Sequence, residues 1–347
     1  MRLNEVSRYT DSYFARARIT CAHAGNNRRV LYQVFQRGDA VLCGIKHALG
    51  LLKQTSLEVE VEGLADGDRI APLESVLHLQ GPIQELVELE TVYLGLLSRM
   101  TRVATNVRAV VEAASGKPVL FFPARFDVPE VQEYDGYAAK IGGAAGASTP
   151  TGAAAFGAPA VGTMPHALIA AFKGDTVAAT LALAEATPDQ PIWALVDFEN
   201  DSARTSVEVY QALKGRGLAL AGVRLDTAAA LVDKGVELAG QKLTGVNPVL
   251  VEIVRRCLDE AGGKEVKIAV SGGFNPEKIR EFERAGAKVD VYAVGENAFQ
   301  GSTPFTSDVV GYYENGRLVP CAKVGREYRP NPRIKKLKGS KDRRKQR

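Results

Sequence analysis

VKIAVSGGFNPEKIREF, residues 266–282, is the stretch on which the reading of the fold turns. Val266, Ile268 and Val270 fit a buried strand, Ser271-Gly272-Gly273 turns the chain, and a helix follows. Asn275 suits the N-cap, Pro276 the first helical position, and Glu277 the positive end of the helix. Two successive glycines let backbone N–H groups converge on an anion beside that helix end, as in a phosphate cradle. The same residues also serve as an ordinary strand-to-helix turn, so the stretch takes its meaning from the pattern around it.

That pattern repeats from Pro118 onward. Strands are expected at VLFF (119–122), KIGG (140–143), AVGT (160–163), IWALVDF (192–198), AGVRLD (221–226), KIAVSGG (267–273) and VDVYAVG (289–295). Helices are expected between most of them, as at Ser202–Lys214, Thr227–Lys234 and Pro248–Ala261. Such alternation predicts a parallel sheet with crossover helices. Just past the strands stand Arg125, Ser148, His166, Asp197, Arg224 with Asp226, Ser271, and Gly295 with Glu296. A barrel gathers these ends on one face, whereas an open doubly wound sheet spreads them along a crevice, so the barrel is preferred. Residues 142–163 are rich in Gly and Ala; Thr149-Pro150 makes a helix start, and a small-residue helix is expected with Ser148 near its N-terminus.

Residues 28–80 read as β-rich, because RVLYQVFQRG and SLEVEVEG alternate apolar and polar side chains. Between them AVLCGIKHALGLLK places a short strand before an amphipathic helix, and from Ile83 to Ala114 the spacing is helical. A second domain begins near Gly116, and GYYENGRLVPCAKVGREY reads as a hairpin that returns to the first. With 347 residues, 46% of them hydrophobic, the chain can bury a large core in about two domains. Its net charge of +4 comes from residues 333–347; outside them there are 35 basic and 39 acidic residues. That run reads as a solvated end and not as a nucleic-acid contact. Cys21, Cys43, Cys257 and Cys321 lie far apart, which argues against a zinc site or disulfide framework and fits a reducing cytosol. The N-terminus has no secretory apolar region, and the most apolar stretch, His166 to Ala186, is broken by Lys173 and Asp175, so no membrane span is expected.

Four signatures in order resemble nicotinate phosphoribosyltransferase and its relatives that use nicotinamide or quinolinate. They are TDSYF (10–14), FFPARF (121–126), GTMPHAL (162–168) and the pair VRLDT and VSGG (223–227, 270–273). The similarity runs from about Tyr9 to Val324. The resemblance implies an α/β fold: an incomplete TIM-like (β/α) barrel with an N-terminal α+β sheet domain completed by the C-terminal segment. Residues 1–115 would form the first domain, 116–300 the barrel, 301–332 the return segment, and 333–347 a disordered basic tail. It also implies a homo-oligomer, a dimer or a multiple of one, with active sites shared between subunits.

By the same resemblance, the reaction is transfer of phosphoribose from phosphoribosyl pyrophosphate to nicotinate in cytoplasmic NAD salvage. Tyr13 from one protomer and Phe122 from the other would sandwich the pyridine ring. Arg125, Ser148 and Thr163 would complete the nicotinate site, Arg125 offering a fork suited to a carboxylate or phosphate. Arg125, Arg224, Asp226, Ser271, Gly272, Gly273, Gly295 and Glu296 would hold the phosphoribosyl donor. His166, Asp197 and Asp226 would be catalytic, with His166 phosphorylated by ATP. Mg²⁺ would accompany the pyrophosphate, with Asp197 and Asp226 as its nearest protein carboxylates.

Departures from the family pattern bear on the substrate. Quinolinate-using relatives carry an arginine where Glu90-Thr91 stands here, and a His-Arg pair near Ser148-Thr149; nicotinamide-using relatives place an aspartate at Ser148. Nicotinate is the best fit of the three. Glu296 follows Gly295 where relatives have Gly-Thr, Arg102 replaces a glycine, and Cys321 alone cannot form a zinc knuckle. The rivals are a decarboxylating quinolinate phosphoribosyltransferase and a barrel lyase or isomerase acting on a sugar phosphate.

Overall fold

The computed structural model describes residues 3–54 and 59–337. The chain divides into two compact units, residues 1–105 with 300–347 and residues 106–299. The first contains α1 (Ser12–His23), β1 (Arg29–Gln36), β2 (Ala40–Val41), α2 (Ile45–Leu52), β3 (Glu60–Gly63), β4 (Arg69–Ile70), β5 (Ser75–Pro82), α3 (Ile83–Leu86) and the start of α4 (Glu90–Ala113). The division falls inside α4, ahead of the boundary expected near residue 116, because the amphipathic run continues as one helix. Val30, Tyr32 and Val34 of β1 pack with Leu77 and Leu79 of β5 and with Tyr93 and Leu97 of α4. The alternation in β1 predicts a solvated face, yet every residue from Val30 to Gln36 is buried, Gln33 and Gln36 included. Gln33 is satisfied there by accepting from Ser75 Oγ (3.0 Å) and from the backbone N–H of Arg329 (2.7 Å).

In the second unit the chain runs through β6 (Val119–Phe121), α5 (Gln132–Gly142), β7 (Gly146–Ala147), α6 (Pro150–Ala153), α7 (His166–Ala171), α8 (Thr176–Ala186) and β8 (Ile192–Leu195). There follow α9 (Ser202–Gly215), β9 (Leu220–Leu225), α10 (Lys234–Leu238), α11 (Pro248–Glu260), β10 (Lys267–Val270), α12 (Pro276–Arg284) and β11 (Val291–Val294). The strands form one parallel sheet in the order β7-β6-β11-β10-β9-β8. Read as a ring, this is the chain order opened between β7 and β8, which is an incomplete TIM-like barrel. A continuous apolar core runs through it from Val119 and Ile192 to Val223, Val270 and Val294.

The structure corrects several expectations. Residues 140–143 are not a strand: they close α5, and Gly143 at φ +101° supplies the left-handed cap. Residues 160–163 are extended but outside the sheet. Val161 donates one backbone hydrogen bond to Ala147 (2.9 Å), and Pro159 and Pro165 on either side lack the N–H a ladder needs. The small-residue helix is short, α6 plus a 3₁₀ turn at Ala154–Phe156, and ends at Gly157 with φ +68°. Thr149 caps it by accepting from the N–H of Gly152 (3.1 Å). Residues 227–233 are not helical; Asp233 is the N-cap of α10 and also accepts from the backbone N–H and hydroxyl of Ser202 (3.0 and 2.8 Å).

The chain then returns to the first unit as β12 (Phe305–Glu314), β13 (Arg317–Pro320) and β14 (Lys335–Lys336), giving the sheet order β13-β12-β1-β5-β3-β14. The hairpin turns at Asn315-Gly316, both with positive φ, as a two-residue turn requires. The basic segment is not wholly free. Arg333 pairs with Glu74 at 2.7 Å and β14 pairs with β3, while residues 338–347, like the Ser56–Glu58 start of an expected strand, lie outside the described residues. Among the described residues no helix is long and apolar enough to cross a membrane.

Gly136 of α5 faces Gly152 of α6 so closely that an added Cβ would sit 2.2 Å from the Gly152 carbonyl oxygen. Gly136→Ala should therefore destabilise the protein by about 1–3 kcal/mol, read as a lower urea midpoint at unchanged m-value. An unshifted midpoint would show that the two helices can separate freely.

Candidate active site

The strand ends of the second unit bring charged groups together. Asp226, just past β9, accepts a 2.6 Å hydrogen bond from Ser271 Oγ at the end of β10, and Arg224 Nη2 lies 3.6 Å from its other oxygen. Arg224 sits on β9 with its Nε buried and without a partner among the described residues. Burial lowers its pKa and Arg125 lowers it further, while Asp226 and Asp197 oppose the shift. A guanidinium held there with donors to spare is suited to an anionic ligand.

Ser271-Gly272-Gly273 forms the turn between β10 and α12. Gly272 and Gly273 have φ of +89° and +68°, and a Cβ on Gly272 would approach Asp226 Oδ1 to 3.4 Å. Asn275 caps α12 by accepting from the N–H of Lys278 (2.8 Å), and Pro276 takes the first helical position. Lys278 Nζ reaches back to the Gly272 carbonyl (3.3 Å) and lies 4.5 Å from the centre of the Phe274 ring. The backbone cradle thus carries a cation at its side.

His166, the first residue of α7, contacts Asp197 through Nε2, at 3.0 and 3.1 Å from the two carboxylate oxygens. The Asp197 side chain is only 7% exposed. Burial pushes its pKa up and the nearby Asp226 adds to this, while His166 pulls it back. The rings of His166 and Phe198 lie 6.3 Å apart.

On the other flank, Phe122 donates its backbone N–H to Val294 (2.8 Å). A Cβ on Gly295 would stand 2.4 Å from the Phe122 carbonyl and 2.5 Å from the Phe126 ring, so only glycine allows this approach. Arg125 is exposed, with its Cζ 5.6 Å from the centre of the Phe126 ring. Ser148 follows β7 and donates its N–H to Phe121 (3.0 Å), Thr163 is half-buried ahead of α7, and Glu296 opens a 3₁₀ turn after Gly295. Tyr13 belongs to the first unit, on α1, where it is 60% exposed and 3.4 Å from Asp11 Oδ2.

The electrostatic contacts therefore link Arg125, Asp197, Arg224, Asp226, Ser271 and His166. Phe126, Phe198 and Lys278 belong to the same surroundings and escaped the sequence reading. A lysine on the first turn after a Gly-Gly cradle was a usable cue for Lys278. The aromatics adjoin Arg125 and Asp197 in sequence but carry no pattern of their own. Among the described residues no group of three or more metal-ligating side chains converges. Asp197 and Asp226, engaged by His166 and Ser271, are the two carboxylates that act on Arg224.

Residues 11–101 match the quinolinate phosphoribosyl transferase N-terminal domain, and residues 103–304 match the C-terminal domain of the same family. The chain belongs to the nicotinate and quinolinate phosphoribosyltransferase family. It is 28% identical over 262 residues to nicotinate phosphoribosyltransferase pncB1 of Mycobacterium tuberculosis, covering 75% of this chain and 54% of that protein. A nicotinate phosphoribosyltransferase of Bacillus subtilis is 24% identical over 268 residues, covering 75% of this chain and 51% of that protein. The chain thus spans about half the length of these curated relatives. The crystal structure of nicotinate-nucleotide pyrophosphorylase from Pyrococcus furiosus superposes with a TM-score of 0.79 at 32% identity, covering 93% of this chain and 79% of that one. Human nicotinic acid phosphoribosyltransferase shares the fold, with a TM-score of 0.68 at 19% identity over 88% of this chain and 75% of that one.

Glu90 opens α4 in the first unit, where burial, with Asp308 adding to it, raises its carboxyl pKa from 4.5 to about 7. The folded protein holds this proton more tightly than the unfolded chain. The resulting stabilisation is complete below pH 4.5 and is lost as pH rises through about 7. Glu90→Gln should remove that slope, so that the stability of the variant relative to wild type increases between pH 4.5 and 7 in denaturant titrations. A constant difference across that range would place the ionised carboxylate in contact with solvent.

Proposed function

We propose that the protein transfers phosphoribose from phosphoribosyl pyrophosphate to the ring nitrogen of nicotinate, releasing nicotinate mononucleotide and pyrophosphate. The observation that carries this reading is the under-bonded Arg224 guanidinium beside Asp226 and the Ser271-Gly272-Gly273 turn. Arg224 and the turn N–H groups would receive the phosphates, and Asp226, fixed by Ser271, would face the ribose. The bond from C1 to the pyrophosphate oxygen breaks with its electron pair going to the leaving group, and the pyridine nitrogen forms the new bond to C1. The protein's part is to hold the two in line and to stabilise the departing charge. Magnesium, arriving with the donor, would share that charge.

Phe122 and Arg125 would present the nicotinate, with Ser148 and Thr163 at the edge of its pocket and Tyr13 from a second copy of the chain on the opposite face. Helix α1 supports an assembly of this kind: it has no buried residue, and Tyr13 and Ile19 on it, with Tyr9 just before it, are each about 60% exposed. The four cysteines are all free, which supports a cytosolic setting. An acid at Glu90 supports a monocarboxylate over quinolinate. Quinolinate is the second reading, favoured by the matching family models.

With Mg²⁺ and the phosphoribosyl donor present, turnover should be highest with nicotinate in a panel that also holds nicotinamide and quinolinate. Arg224→Ala should lower it by about 10²–10³-fold. Preference for quinolinate, with release of carbon dioxide, would move the assignment to the second reading.

The His166 contact supports coupling to ATP. With the Nε2 proton donated to Asp197, Nδ1 keeps its lone pair and can attack the terminal phosphorus as ADP departs. ATP should therefore raise turnover and leave an acid-labile phosphate on the protein, and both effects should vanish in His166→Ala while basal transfer persists. Equal turnover with and without ATP, and no labelled protein, would remove this step.

A further inference from the structure

The peptide between Gly272 and Gly273 has no side chain on either flank to hold it. Both glycines are exposed, and both have positive φ. With no Cβ to obstruct it, a peptide unit in this position can rotate by half a turn at little steric cost. The unit is planar and trans, so its carbonyl and its N–H point in opposite directions. Rotation would therefore exchange a donor for an acceptor on the face where an anion would bind.

Lys278 favours one of the two orientations. Its Nζ donates to the Gly272 carbonyl at 3.3 Å, which turns the N–H of Gly273 away from the ammonium. Neither the N–H of Gly272 nor that of Gly273 has a partner among the described residues. A Cβ on Gly272 would stand 3.4 Å from Asp226 Oδ1, so the turn lies directly beside the Arg224–Asp226 pair. The carbonyl is thus occupied by a cation, while two donors next to it stay unused.

The lysine is itself well fixed. Its backbone N–H is the one that Asn275 accepts in capping α12, at 2.8 Å. Its ammonium lies 4.5 Å from the centre of the Phe274 ring. Phe274 is buried and packs on Phe282 and Tyr292, with ring centres 5.0 and 5.6 Å away, so the ring is a rigid platform. Lys278 makes no ion pair among the described residues, and Glu281 acts on it only through space. A half-buried lysine set between an aromatic ring and a carbonyl is not placed there by salt bridging along its helix.

We infer that Lys278 is a positioning residue, locking the Gly272–Gly273 peptide so that the turn presents N–H groups, and not a carbonyl oxygen, to a phosphoryl group. This rests on the reading given above, in which the turn receives a phosphate of the donor. A carbonyl turned toward that group would repel it, whereas converging N–H groups stabilise it. Lys278 acts through the peptide and need not touch the ligand.

Equilibrium dialysis of the full chain with labelled pyrophosphate and Mg²⁺ tests the lock, with Arg224→Ala reporting whether the barrel rim takes the ligand. Lys278→Met keeps the apolar stem and should weaken binding by about tenfold, as for loss of a charge-assisted hydrogen bond. Lys278→Arg, which can still donate to the carbonyl, should restore it. In spectra of ¹⁵N-glycine-labelled protein the Gly273 amide is identified by its loss in Gly273→Ala. That signal should split or broaden in Lys278→Met and stay single in Lys278→Arg. Weaker binding in Lys278→Met with an unmoved Gly273 amide would make the lysine a charge contact and overturn the lock, as would unchanged binding. Binding that Arg224→Ala leaves intact would instead remove the phosphate reading of the rim, and the lock with it.

Discussion

Arg224 stands on a strand buried in the barrel core, and burial of a guanidinium is tolerated only when charge and hydrogen bonds compensate it. Here the compensation is partial: Asp226 is 3.6 Å away, Asp197 is felt at longer range, and Nε has no partner among the described residues. The neighbouring architecture follows from that imbalance. Ser271 is used to orient Asp226, the two glycines after it keep the approach clear of side chains, and Asp197 is turned toward His166 and not toward Arg224. Each of these choices leaves the cation available to an incoming anion. Stability is given up locally where a buried cation keeps donors unused, which is the relation expected between strain and function.

The parts of this design that were legible in the sequence are those where several cues agree. At 266–282 a buried strand, a Gly-Gly turn, an Asn cap and a Pro at the first helical position all point to one local structure, and that structure forms. The Asn-Gly hairpin near the C-terminus is a second case. Where cues conflict, the reading fails. KIGG and AVGT are short runs of small residues that fit helix, strand or coil equally, and tertiary context resolved one as a helix end and the other as an unpaired segment. Gln33 in β1 looked solvated because its partners, Ser75 and Arg329, come from distant parts of the chain.

The site itself was legible at the level of residue type and position after a strand, less so in its detail. His166 and Asp197 are separated by a helix and a strand, and nothing in their spacing specifies a two-oxygen contact through Nε2. The resemblance to a known family pairs them, and the structure places them in contact. Lys278 and Phe198 had no such help: one reads as a surface charge on an exposed helix turn, the other as the last apolar residue of a strand.

The seam between β7 and β8 gives the barrel a property that a closed one lacks. In a complete cylinder every stave is bonded on both sides, so no stave can shift without breaking ladders with two neighbours. Here the stretch leading to α7 is tied to β7 by the single Val161–Ala147 hydrogen bond. His166 opens α7 at this seam, and Met164 and Ile169 on either side of it, both buried in the barrel core, tie the segment down in place of a strand ladder. The opening in the sheet is thus closed by side-chain packing and by the two-oxygen contact of His166 with Asp197, where a complete cylinder would use backbone ladders.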